Sequence, residues 1–212
     1  PGPFIRALIL AKAAAARANV ELQQLDPLMG DAIVGACQQL LDGDFMAHFP
    51  VDVFQTGSGT SSNMNANEVI ATLASRILGD SVSANDHVNC GQSSNDIIPT
   101  TIHVSAAIEL HERLLPALGH LLKVLCEKSL EVQPYIKTGR THRMDAMPLA
   151  FGQEFSAWSA QLSSAEARLE DTLKRVRRLP LGGTAIGTGI NADPRFGEQV
   201  AKALKQQTGV KF

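Results

Sequence analysis

Apolar residues along this chain recur mainly in steps of three and four. From Pro99 onward, Ile102, Ala106, Leu110, Leu114, Leu118, Leu121 and Leu125 make one stripe. That stripe predicts a helix over 99–125 with Pro99 at its first position. Pro116 falls inside it, and because the pattern resumes in phase beyond, a kink is expected there. A longer helix is predicted over 152–178, where Phe151, Phe155, Trp158, Leu162, Ala165, Leu169, Leu173 and Val176 recur almost as a heptad. Phe196, Val200 and Leu204 predict a third over 194–208, stopped by Gly209. Upstream, 63–78 carries Met64, Ile70, Leu73 and Ile77 and closes at Gly79, and an Ala-rich helix is expected over 5–24. No stretch alternates strictly enough to predict a strand, and no internal repeat is present. The expected fold class is therefore all-α, a bundle of long helices.

Composition agrees with that reading. Aromatic residues make up 5% of the 212 residues, which suits closely packed helices better than a β-sandwich. The formal net charge of -2 gives no footprint for nucleic acid or an anionic membrane, and no apolar run reaches the ~20 residues of a membrane helix. Cys37, Cys90 and Cys126 are too few and too widely spaced for a disulfide framework or a CxxC metal pattern, so a reducing cytoplasm is expected. The chain opens without Met directly into a helical pattern and stops just after another. It reads as a piece of a longer protein.

Three polar stretches stand where helices are about to begin. Gln55-Thr56-Gly57-Ser58-Gly59-Thr60-Ser61-Ser62-Asn63 combines a Gly-rich turn with hydroxyls at a helix start. Such a start presents unpaired N–H groups and a partial positive charge, a cradle for a carboxylate or phosphate, although an ordinary capped helix would need only one of these hydroxyls. It is no dinucleotide fingerprint, because Ser62 stands where the third glycine belongs and no strand is predicted before it. Gln92-Ser93-Ser94-Asn95-Asp96 supplies more donors than capping requires. Gly139-Arg140-Thr141-His142-Arg143-Met144-Asp145 sets a histidine beside a hydroxyl and between two arginines. Its charge can change near neutral pH, as general acid–base work demands. The run Gly182-Gly183-Thr184-Ala185-Ile186-Gly187-Thr188-Gly189 lacks the Lys-Ser/Thr of a P-loop and reads as a bend between helices that could line a pocket.

Taken in order, these stretches resemble the three motifs of the fumarase/aspartase superfamily. The first extends through Asn63-Met64-Asn65-Ala66-Asn67-Glu68, the second includes Pro99, and the third continues through Asp145-Ala146, Pro148 and Gly152-Gln153-Glu154-Phe155. His142, where aspartases typically carry Gln, and Ser58, where they often carry Ala, resemble the class II fumarase branch. Argininosuccinate and adenylosuccinate lyases resemble the extended first motif less. The resemblance implies a long-helix bundle, truncated here at both ends, with a mostly helical N-terminal domain over 1–96 and a central bundle domain over 97–212. It implies reversible hydration of fumarate to malate within the tricarboxylic acid cycle, without metal or organic cofactor. It also implies a cytoplasmic homotetramer whose active sites are shared between subunits. In that scheme His142 would act on the water, and Ser58, Thr60, Ser93, Ser94, Asn95 and Thr141 would bind the substrate.

The sequence departs from that pattern in two places. The mobile Gly-Ser-Ser-x-x-Met-Pro-x-Lys-x-Asn loop, whose Ser is the family's catalytic base, does not occur among these residues, so the chain alone is expected to be inactive. Ser83-Ala84 replaces the usual His-Pro before Asn85 and Asp86, which weakens the case for the family's peripheral carboxylate site. Two other readings remain open: an aspartate ammonia-lyase on the same architecture, or a helical fragment that packs and binds without chemistry.

Overall fold

The computed structural model describes residues 1–52, 54 and 57–212. Within them are helices α1 (Gly2–Glu21), α2 (Pro27–Asp42), α3 (Thr60–Leu78), α4 (Ser94–Glu109), α5 (Leu115–Glu131), α6 (Phe151–Val176) and α7 (Phe196–Thr208), with one two-stranded sheet, β1 (Ile136–Thr141) and β2 (Met144–Ala150). The chain is mostly helical, as its apolar periodicity predicts. It divides into two compact units, Pro1–Ile108 with Val176–Phe212, and Glu109–Arg175.

In the first unit α1 is the core. Every residue from Ala7 to Ala16 is buried, so the helix has no solvent face over that stretch, and α2, α3 and α7 pack around it. Alanines at 11, 14 and 15 are fully buried and keep the helix thin enough for close neighbours. Helix α2 follows from a signal present in the sequence but not used above. The Asp26 carboxylate accepts from Leu28 N (2.9 Å) and Met29 N (3.3 Å), Pro27 opens the helix, and Ile33, Ala36, Cys37 and Leu40 are buried at helical spacing. Helix α3 starts at Gly59 and stops at Gly79, both at positive φ. Gly59 is required twice over: its φ is +73°, and a Cβ there would lie 2.9 Å from Ile98 Cγ2. Gly59→Ala is therefore expected to cost about 2 kcal/mol, read as a lower urea midpoint; an unchanged midpoint would contradict this packing.

Three expectations are corrected. Pro99 lies inside α4, because Ser93 and Asp96 set the helix start at Ser94 by capping. The predicted single helix kinked at Pro116 is instead α4, a π-helical turn at Leu110–Leu114, and α5 with Pro116 in its first turn. A proline ring collides with the carbonyl four residues back, here Glu112, which falls within the π turn. A hairpin also exists where no strand is predicted. Its strands bury only Ala150, so burial imposes little alternation; Pro148 reads against a strand, and a bulge between Thr138 and Arg140 breaks the register.

In the second unit, Glu109–Arg175, the predicted apolar stripes lack cover. Helix α5 has no buried residue, and α6 buries only Gly152, Ser159 and Leu173. Leu114, Leu121, Val124, Leu130 and Trp158 are all exposed. The hairpin is tied to α6 by Lys137, which pairs with Glu154 at 2.6 Å and lies 5.2 Å from the Phe151 ring centre.

Candidate active-site loops

The first two polar stretches both lie in the first unit, and the helix starts explain their geometry. Gln55 and Thr56 lie outside the described residues. Ser58 and Thr60 are exposed at the N-terminal end of α3, their hydroxyl oxygens 3.1 Å apart. Four N–H groups at such a start lack partners within the helix, so these hydroxyls and the helix dipole together suit an anion. Ser58, Gly59, Ser62, Ile98 and Ile102 help line a cavity of about 380 Å³.

The second stretch is a capping box. Ser93 Oγ accepts from Asn95 N (3.2 Å), while Asp96 Oδ1 accepts from Ser93 N (2.9 Å). The other oxygen of Asp96 accepts from Gly182 N (3.1 Å) and Thr184 N (2.8 Å), and Asn95 Nδ2 donates to the Ala185 carbonyl (2.8 Å). One buried carboxylate thus receives three backbone N–H groups, fastening the Gly-rich run to the start of α4. Ser93, Ser94, Asn63, Thr184 and Ala185 line a second cavity of about 320 Å³, so the Gly-rich run does face a pocket.

The two motifs are joined beneath this cavity. Asn63, from the first turn of α3, donates through Nδ2 to Ser94 Oγ (3.0 Å) and to Asn89 Oδ1 (3.3 Å). Asn67, one turn on, also donates to Asn89 Oδ1 (3.2 Å). The third donor to the same oxygen is Lys12 Nζ (2.9 Å), which comes from the middle of α1 and also donates to Gln92 Oε1 (2.8 Å). Lys12 is fully buried, and burial lowers its pKa to about 7, against the weaker opposing pull of Cys37 and Asp96. Burial pushes the Cys37 thiol up to about 12 and raises Cys90 as well. Sequence reasoning missed Lys12; the available signal was a lysine inside the otherwise apolar run from Ala7 to Ala16.

The third stretch lies in the second unit. Thr141 pairs with Met144 across a two-residue turn whose central residues, His142 and Arg143, have φ of +49° and +61°. Positive φ at both central positions makes this a primed hairpin turn, usually marked by Asn-Gly rather than His-Arg. Thr141 and His142 are both exposed at its tip. Arg140 turns back to Asp145 (2.9 Å), leaving His142 at the apex.

Asn85 and Asp86 are exposed in a π-helical turn, Ala84–Val88. Ser83 caps it: its Oγ donates to Asp86 Oδ2 (2.9 Å) and accepts from Asp86 N (3.1 Å). Among the described residues no helix is long and apolar enough to cross a membrane, and no group of three or more His, Cys, Asp and Glu residues could hold a metal.

Comparison with known proteins agrees with this arrangement. Over all 212 residues the chain is 63% identical to a class II fumarate hydratase of Pseudomonas aeruginosa and covers 46% of its length. It is 48% identical to the class II fumarate hydratase of Thermus thermophilus, covering 47% of it. A crystal structure of class II fumarase from Schistosoma mansoni superimposes with a TM-score of 0.93 at 41% identity, over 99% of this chain and 45% of that one. The 3-carboxy-cis,cis-muconate lactonizing enzyme of Pseudomonas putida, at 20% identity and TM-score 0.73, shares the fold. The chain therefore spans about half the length of these relatives. A lyase family profile matches residues 4–212, and the chain belongs to that family, on the class II fumarase branch of the fumarase/aspartase superfamily.

Proposed function

We propose that the protein carrying this chain adds water reversibly to fumarate, giving malate. The observation that supports this best is the Asn63–Ser94 hydrogen bond, which joins the first two motifs at one cavity in a chain 63% identical to a fumarate hydratase. In the malate-to-fumarate direction, a proton leaves the carbon beside one carboxylate, and negative charge builds on that carboxylate before hydroxide departs from the neighbouring carbon. Donors fixed around the carboxylate stabilise this charge more than they stabilise the substrate. Ser58, Thr60, Ser93, Ser94, Asn95 and Thr141 would supply them. His142 would orient or activate the water, a role that an exposed imidazole on a hairpin tip can fill once other subunits close around it.

The uncovered stripes of α5 and α6 favour a homotetramer with shared sites. A domain boundary near residue 96 in the whole protein, a cytoplasmic setting, and a peripheral carboxylate site at Asn85 and Asp86, weakened by Ser83-Ala84, belong to the same proposal. The test follows malate from fumarate in water, and aspartate when ammonia is added, with full-length protein and with the 212-residue chain alone. Malate from the full-length protein and nothing from the chain is expected. Aspartate as the main product would make it an ammonia-lyase and sink the proposal. His142→Asn in the full-length protein is expected to lower kcat about 100-fold.

A further inference from the structure

Lys12 has no place in the chemistry just described, yet it lies at the centre of the network that joins two substrate-binding stretches. The amide orientations around it are fixed independently. Asn89 Oδ1 already accepts from Asn63 and Asn67, and its Nδ2 donates to the Gln92 carbonyl (3.3 Å). Gln92 Nε2 donates to the carbonyls of Val88 (3.0 Å) and Cys90 (3.2 Å). Both side chains therefore turn an oxygen toward Lys12 Nζ, and only a donor can occupy that position.

We propose, resting on the hydratase reading above, that Lys12 is a positioning residue for the dicarboxylate site. Through Asn89 and Gln92 it locks the first turn of α3 and the 92–95 loop in one geometry, so that Asn63 and Ser94 meet at the cavity. Charged neighbours are few on every side. Helix α4 brings Asp96 and α2 the Cys37 thiol; α3 offers the amides of Asn63 and Asn67, and the 89–92 loop the amides of Asn89 and Gln92 and the Cys90 thiol. The buried face of α7, Phe196, Val200, Ala203 and Leu204, is apolar. Lys12 is thus the cation nearest the hub, and its protonation changes near neutral pH.

The test uses the full-length protein with Lys12→Met and Lys12→Gln. Lys12→Met is expected to raise KM for fumarate about tenfold while kcat falls less, because a displaced donor loosens substrate binding. Lys12→Gln, which keeps a donor without the charge, is expected to recover part of the loss. The unaltered protein should show KM rising as pH passes about 7, and that step should be missing in Lys12→Met. Folded variants with unaltered KM and pH profile would overturn the proposal. Hydrogen exchange of the unaltered protein gives a readout that depends on neither the variants nor the activity. Segments 60–67 and 89–96 are expected to open together with one free energy, and clearly separate openings would overturn the proposal. Failure to make malate with joint opening intact would defeat the hydratase reading while sustaining the role of Lys12 as the link.

Discussion

Asp96→Asn is expected to destabilise the Pro1–Ile108 and Val176–Phe212 unit by about 3 kcal/mol, the scale for breaking hydrogen bonds to a buried charge. The reasoning is geometric. Oδ1 accepts from Ser93 N, and Oδ2 from Gly182 N and Thr184 N. An asparagine has only one acceptor oxygen, so its NH2 must face one backbone donor or two, and either way a buried N–H loses its partner. The measurement is the urea midpoint at constant slope, and an unchanged midpoint would mean that the clasp contributes little. The same variant should weaken fumarate turnover in the full-length protein, since Ser93, Gly182 and Thr184 each depend on that carboxylate for a backbone partner.

The second large effect is a pH dependence, and its sign follows from Lys12. Its pKa is about 7 when folded and takes the ordinary value of 10.5 when unfolded. Below pH 7 both states hold the proton, and the cost of burying an ammonium is fully present. Between pH 7 and 10.5 only the unfolded state holds it, so stability rises with pH by up to ~1.4 kcal/mol per unit. Unfolding of the wild type and of Lys12→Met should therefore diverge by about 2 kcal/mol between pH 7 and pH 9, the wild type gaining. Parallel curves would show that Lys12 is solvated in the folded state. A core that tolerates such a residue gives up stability for a fixed polar geometry, a trade expected beneath a binding site.

What the sequence revealed depended on how strongly burial forced a pattern. Helices α3, α6 and α7 were readable to within a few residues because Gly79 and Gly209 end two of them and apolar residues recur along each. Helix α2 was equally marked, by Asp26-Pro27, and simply passed over. The hairpin was not readable: strands that bury only Ala150 carry little apolar alternation, and the turn uses His142 and Arg143 in a conformation usually given to Asn-Gly. The candidate site divides in the same way. Ser58, Thr60, Ser93, Ser94 and Asn95 announced themselves as surplus donors at helix starts. Lys12 did not, because its partners lie 77 and 80 residues away, and only folding brings them together.

The unbroken burial of α1 from Ala7 to Ala16 bears on how this protein can change over time. Most helices have a permissive side, so tolerance to substitution rises and falls every three or four residues. Helix α1 has none over that stretch. A saturation scan should return an almost flat band of intolerance, in which added volume at Ala11, Ala14 or Ala15 is rejected as firmly as a polar group. Variation there would have to arrive with matching changes in α2, α3 or α7, making this stretch the slowest to drift and its neighbours bound to drift in step.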